Sequence, residues 1–312
     1  MMKKKRKIKI THFILLFIIF IIFVSSLIFL FFKLFNESDD KKEFSISDLN
    51  INELDYSAAK KFDFDLYSSN YLLIRLNDFK VLYENKADEK IYPASLTKVL
   101  TLDSVVNNVE DLNDTSYYTD DDYYSLIDQN ASLAGLNTFK EYTLNELLYA
   151  LILPSGADAA SCLSNYFVSH DLSLVDLMNK RCSDLNLYNS HFTNTTGLHD
   201  LSLYTTLNDY AKIVIDTLLN NNSKDVLKTN KYNLYGNDLI STLYDLTFNE
   251  KVKVYGGKTG YTPEAGMNIM CLFSHNNRSY LLILSGAIGS PYTDGMHHID
   301  DVNTIFSNLY NN

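Results

Sequence analysis

Ser95 and Lys98, three residues apart, have the residue types of a nucleophile and its own base. A serine hydroxyl attacks poorly until a neighbour takes its proton, and a lysine can do so only when its pKa is depressed. On a helix, residues three apart share a face one turn apart, so Ser95-Leu96-Thr97-Lys98 brings hydroxyl and amine together. A second hydroxyl and a second lysine come from distant stretches, Ser155-Gly156-Ala157 and Lys258-Thr259-Gly260. Ser-x-x-Lys alone is commonplace as a capping serine followed by a solvated lysine. It is the combination that suits acyl transfer through a covalent serine intermediate.

The flanking patterns indicate which elements carry these groups. Tyr71–Leu76 and Lys80–Glu84 read as strands joined by a turn at Asn77-Asp78. After Pro93 a helix begins near Ser95, placing the serine in a first turn where free N–H groups and the positive dipole end favour a developing oxyanion. Thr143 with Glu146 three residues later is a capping box, and Pro154 ends that helix. Ser155-Gly156 turns the chain into another helix from Asp158, Asn194–Leu198 reads as a loop, and Thr206 caps a helix to Leu219. Val252–Tyr255 leads into Gly256-Gly257-Lys258-Thr259-Gly260. Met267–Phe273 and Tyr280–Leu284 form a hairpin, and His298–Leu309 is amphipathic. Strands at both ends around central helices predict an α/β fold with one antiparallel sheet flanked by helices.

The N-terminus has a different character. Lys3, Lys4, Lys5, Arg6, Lys7 and Lys9 precede an apolar run, Phe13–Phe32, broken only by Ser25 and Ser26. About 20 apolar residues span a bilayer, and the basic flank orients the N-terminus to the cytoplasm. The run exceeds the usual apolar core of a cleaved secretory signal and lacks an Ala-x-Ala site, so a retained anchor is expected. The expected organisation is a cytoplasmic basic segment (1–12), a transmembrane anchor (13–35), a stalk (36–62) and a catalytic domain (63–312) on the extracellular face of the cell membrane.

Of 27 Lys and Arg, six lie in the basic cluster, leaving 21 against 38 Asp and Glu, or about −17, for the rest of the chain. That balance argues against nucleic acid as a partner. Hydrophobic residues make up 46% and charged residues 21%, as in folded proteins. Cys162, Cys182 and Cys271 lack zinc spacing and are read as buried single thiols, with a Cys162–Cys182 bridge as the alternative. His191, His199, His297 and His298 form no His-x-x-x-His pair and are read as surface or loop residues; no metal site is expected.

Pro-Ala-Ser-Leu-Thr-Lys at 93–98, Pro-Ser-Gly-Ala-Asp-Ala-Ala at 154–160, Phe-Thr-Asn-Thr-Thr-Gly-Leu-His-Asp at 192–200 and Gly-Gly-Lys-Thr-Gly-Tyr-Thr-Pro-Glu-Ala-Gly at 256–266 occur in one order. Together they resemble the D-alanyl-D-alanine carboxypeptidases among the low-molecular-weight penicillin-binding proteins, over roughly Tyr71 to Leu309. The resemblance implies a β-lactamase/transpeptidase-like fold, a peptidoglycan stem peptide as substrate, β-lactams as acylating inhibitors and no cofactor. It also implies roles: Ser95 as nucleophile, Lys98 as base crowded by Lys258, and Ser155 as proton relay. Lys258, Thr259 and Gly260 would bind the substrate's terminal carboxylate and backbone, and the N–H groups of Ser95 and Tyr261 the oxyanion.

The sequence departs from the family pattern at Ala157, where the family has asparagine. A methyl group cannot bond the substrate backbone, and Asp158, turned about 100° away on a helix start, is not expected to replace the amide. Glu141-Tyr-Thr-Leu-Asn145 resembles the deacylating glutamate motif of class A β-lactamases but precedes Ser155 instead of following it, so Glu141 is read as solvated. A β-lactamase, and a non-catalytic receptor for muropeptides or β-lactams, are the alternatives to the carboxypeptidase reading.

Overall fold

The computed structural model describes residues 24–26, 53–244 and 252–309. The chain divides into two compact units, Met1–Ser45 and Ile46–Asn312. In the first, residues 24–26 are helical; the rest of the expected anchor, and the stalk up to residue 52, lie outside the described residues. Among the described residues no helix is long and apolar enough to cross a membrane.

The second unit is built on a five-stranded antiparallel sheet. Its strands are β1 (Asn70–Arg75), β2 (Lys80–Asn85), β7 (Lys253–Thr262), β8 (Gly266–His275) and β9 (Arg278–Ala287), in the order β2-β1-β9-β8-β7. Leu73 lies opposite Leu282 across β1 and β9, and Cys271 opposite Leu282 across β8 and β9. This register puts one set of apolar side chains on each face. Leu73, Ile269, Cys271, Phe273, Leu282 and Leu284 meet Val302, Ile305 and Phe306 of the last helix, α8 (His297–Leu309). The opposite set, including Leu72, Ile74, Met270 and Ile283, is equally buried.

The helices on that second face include α1 (Thr97–Asn108), α3 (Leu144–Ile152) and α4 (Ala157–Val168), which carry or flank the candidate site. α2 (Asp120–Asp128), α5 (Leu174–Asp184), α6 (Leu207–Thr217) and α7 (Asn221–Lys228) complete the layer, with α6 packed on β1 and β9. Short pairs β3–β4 (Thr115–Ser116, Tyr142–Thr143) and β5–β6 (Lys231–Leu234, Asn237–Ile240) edge it.

Local signals explain the ends of these elements. Thr143 Oγ1 accepts from Glu146 N at 3.2 Å while Glu146 Oε2 accepts from Thr143 N at 2.9 Å, the reciprocal bonds of a capping box. Thr206 Oγ1 caps α6 by accepting from Asp209 N at 3.1 Å. Residues 55–62, read from the sequence as part of the stalk, bond to β2 and its turn. Val81 N donates to Asp55 O, Lys60 N to Leu82 O and Glu84 N to Lys60 O, and Phe62 stacks on Tyr83. All three cysteines are free and buried, and burial pushes the Cys182 and Cys271 thiols up to about 12.

Candidate active site

Ser95 sits in a 3-10 turn, Ala94–Leu96, that runs directly into α1. Ala94 has φ +48°, a left-handed conformation that costs an alanine energy and persists only where the surroundings enforce it. Two glycines supply that enforcement. A Cβ on Gly197 would lie 1.8 Å from Ala94 O, and one on Gly260 would lie 2.9 Å from Ser95 N. The loop before α6 and strand β7 therefore press on the nucleophile's turn from two sides, at distances only glycine permits.

One helical turn later, Lys98 is 2% exposed. Its Nζ donates to Thr196 O at 2.7 Å and to Ser95 Oγ at 3.0 Å. Burial pulls its pKa from 10.5 down to about 7, with the Asp158 carboxylate opposing the shift. Sequence reasoning assigned the loop 194–198 no role in holding the base. Here Asn194 Oδ1 accepts from Gly197 N at 2.7 Å and from Thr196 Oγ1 at 3.0 Å, and its Nδ2 donates to Leu198 O. Those bonds turn the Thr196 carbonyl toward Lys98; the spacing Asn-x-x-Gly was the available signal.

Ser155 lies in the turn between α3 and α4 with φ +64°, and its buried Oγ has no hydrogen-bond partner. Lys258 on β7 is wholly buried, and its Nζ donates to Thr259 O at 2.8 Å. Burial first, and then the charge on Lys98, hold its pKa well below the usual lysine value. Burial is thus the first cause that holds both amines down, and a charge on one disfavours a charge on the other.

Two clefts meet at Ser95, and both are lined by Ser95, Ser132, Tyr261 and Tyr292. The larger, about 580 Å³, adds Lys98, Ala157 and the loops 129–132 and 196–198. The smaller, about 320 Å³, adds Ser155, Thr242, Thr259, Gly260 and His298. Lys258 lines neither, lying behind Thr259. Ala157 is buried on the wall of the larger cleft, and Asp158 turns away from it. The Asp158 carboxylate accepts from the N–H groups of Ala134, Gly135 and Leu136 at 2.8, 2.9 and 3.0 Å and shapes the loop opposite.

His298 departs from the sequence expectation of a surface or loop residue. It lies in the first turn of α8, 5% exposed, where the cleft wall around Pro291 and Met296 encloses it; burial lowers its pKa to about 4. His191 and His199 are exposed as expected, His297 is half-buried, and Glu141 is exposed and accepts from Thr115 Oγ1 at 3.2 Å. Among the described residues no group of His, Cys, Asp and Glu is arranged to hold a metal ion.

Known proteins resemble the chain in sequence and in fold. A D-alanyl-D-alanine carboxypeptidase of Bacillus subtilis, DacF, is 28% identical over 232 residues, 69% of this chain and 56% of the relative. One from Streptomyces strain K15 is 31% identical over 159 residues, 48% of this chain and 54% of the relative. The chain thus spans about half the length of these relatives. The Streptomyces K15 DD-transpeptidase structure superposes with a TM-score of 0.68 at 21% identity, covering 80% of this chain and 98% of that one. A Mycobacterium tuberculosis D-alanyl-D-alanine carboxypeptidase superposes with the same score and identity, covering 83% and 97%. The model of the D-alanyl-D-alanine carboxypeptidase family, peptidase family S11, matches residues 56–287, and the chain belongs to that family.

Proposed function

We propose that this protein is a membrane-anchored serine D,D-carboxypeptidase that removes the terminal D-alanine from peptidoglycan stem peptides on the extracellular face of the cell. The observation that carries this reading is the 3.0 Å contact between Lys98 Nζ and Ser95 Oγ, made by a lysine whose pKa burial has brought to about 7. A base poised near working pH is what proton abstraction from serine requires.

In this reading neutral Lys98 takes the Ser95 proton as Oγ bonds to the carbonyl carbon between the two D-alanines. The N–H groups of Ser95 and Tyr261 bond the resulting oxyanion, an interaction typically worth about 3 kcal/mol per donor. Ser155 passes a proton to the leaving amine as the C–N bond breaks, and D-alanine departs. Water then cleaves the ester and restores Ser95. Thr259 meets the terminal carboxylate, and Lys258 supports it from behind through its bond to Thr259 O. A β-lactam ring opens by the same attack and leaves Ser95 acylated.

The test is release of free D-alanine from a pentapeptide muropeptide, by the parent protein and by Ser95→Ala. Release that depends on Ser95 is the expected result. Ala157 favours one second reading, a receptor that is acylated but turns over poorly. Penicillin labelling of Ser95 with no D-alanine released would select it, and neither labelling nor release would sink both.

A further inference from the structure

Helix α2 ends beside the larger cleft in a bonded cap. Asn130 N donates to Ile127 O at 2.9 Å and Ala131 N to Leu126 O at 3.0 Å, the paired bonds of a Schellman motif. That motif needs a left-handed residue just after the helix, and Asn130 takes the conformation with φ +51°. Glycine fills such a position at no steric cost, and asparagine is among the few other residues that tolerate it. The cap therefore accounts for the backbone at Asn130 and asks nothing of its side chain.

That side chain is a carboxamide the fold does not use. Asn130 is exposed, lines the larger cleft with Ser95, Lys98 and Ala157, and its carboxamide bonds to none of the described residues. The neighbouring carboxamide, Gln129, lines the same cleft but commits its Nε2 to Ser125 O at 3.0 Å and Ser125 Oγ at 3.2 Å. Two residues beyond Asn130, Ser132 O accepts from Ala157 N at 2.8 Å, and the Asp158 carboxylate fastens the loop again at Ala134–Leu136. The loop carrying Asn130 is thus pinned to the first turn of α4, where position 157 presents only a methyl group.

We propose that Asn130 supplies the carboxamide that position 157 lacks and binds the peptide backbone in the acyl half of the substrate. The inference rests on the carboxypeptidase reading. There the terminal carboxylate meets Thr259 in the smaller cleft, so the acyl half occupies the larger one. A carboxamide donates from Nδ2 and accepts at Oδ1, which matches the C=O and N–H of a peptide without adding charge. An exposed side chain at a helix end loses more freedom on binding than one already held in a buried wall. The replacement is accordingly partial, and an amide restored at position 157 still adds turnover.

Asn130→Gly separates the two roles, because glycine keeps the left-handed cap and removes the amide. The full chain is assayed as parent, Asn130→Gly, Ala157→Asn and the double variant. Two rates are read: kcat/KM for D-alanine release from a pentapeptide muropeptide, and penicillin acylation of Ser95. Asn130→Gly is expected to lower both about fivefold, the scale of one hydrogen bond, with an unchanged or higher melting temperature. In the Ala157→Asn background the same change should cost less than about twofold, because the restored amide makes the contact instead. Unchanged rates in Asn130→Gly would reduce Asn130 to a cap, and an equal loss in both backgrounds would mean that it acts only through the loop. Either result overturns the proposal. A parent that is acylated but releases no D-alanine removes the carboxypeptidase reading. The acylation rates of the four proteins then decide this inference alone, since a penicillin also carries an amide on the acyl side of its reactive carbonyl.

Discussion

At the residue scale the decisive quantity is the protonation state of Lys98. Its pKa of about 7 lies below the ordinary 10.5, so the amine is ionised and useless as a base below about pH 6 and mostly neutral above about pH 8. The rate of penicillin acylation of Ser95 should therefore rise through a midpoint near 7 and level off; a flat profile from pH 5 to 9 would remove Lys98 as the base. Asp158 pulls the same pKa upward, so Asp158→Asn should shift the midpoint to lower pH, although it also loosens the loop at Ala134–Leu136. At position 157 a methyl group lines the larger cleft, where the sequence resemblance implies an amide. Ala157→Asn restores a donor and an acceptor to that wall and should raise D-alanine turnover several-fold, in line with the ~1 kcal/mol of a typical hydrogen bond. Unchanged or slower release would show that the site has been rebuilt around the smaller side chain.

At the scale of elements, the nucleophile is held by contacts that no single segment encodes. The turn at Ala94–Leu96 is left-handed at Ala94 only because Gly197 and Gly260 bring two other chain segments against it. Gly197→Ala, with a Cβ 1.8 Å from Ala94 O and φ +81° at the substituted residue, must displace that loop and with it the Thr196 carbonyl. Penicillin acylation should slow at least tenfold and the melting temperature should fall; an unchanged acylation rate would mean that Lys98 does not depend on Thr196. The same distinction explains what the sequence revealed. The capping box at Thr143 and Glu146, the cap at Thr206 and the hairpin around Asn276-Asn277 are local arrangements, and each appears where its residues predict it. The burial of His298 and the pairing of Thr242 with Leu153 O depend on segments far away in the chain, so no local pattern announces them. Helix α5 and the β5–β6 hairpin carry no comparable local signal, because their apolar positions are sparse and their residues largely exposed or half-buried.

At the scale of the whole unit, three helices of the layer that carries Lys98 are joined by one half-buried cation. Arg181 on α5 donates from Nε to Asp103 on α1 at 2.9 Å and from Nη2 to Asp216 on α6. Asp103 is 0% exposed, and burial with the neighbouring Asp216 charge raises its carboxyl to about 6 even though Arg181 opposes the shift. A raised acid binds more protons folded than unfolded, so its contribution to stability declines as pH rises from about 4 to 6. Arg181 limits that decline by compensating the ionised form. Arg181→Met removes the compensation and leaves two buried carboxyls facing each other, a change that costs ~3 kcal/mol when one partner of a buried pair is lost. For a unit of this size that corresponds to a fall of about 6–12 °C in melting temperature. The deficit should be smaller at pH 4.5, where Asp103 with its carboxyl raised to about 6 is protonated, and larger at pH 7.5, where its ionised form has lost its partner. Melting curves of parent and variant at the two pH values measure it. An equal deficit at both would mean that Arg181 acts by packing its stem between the helices, and that the charge it carries contributes nothing to holding α1, and hence the base, in place.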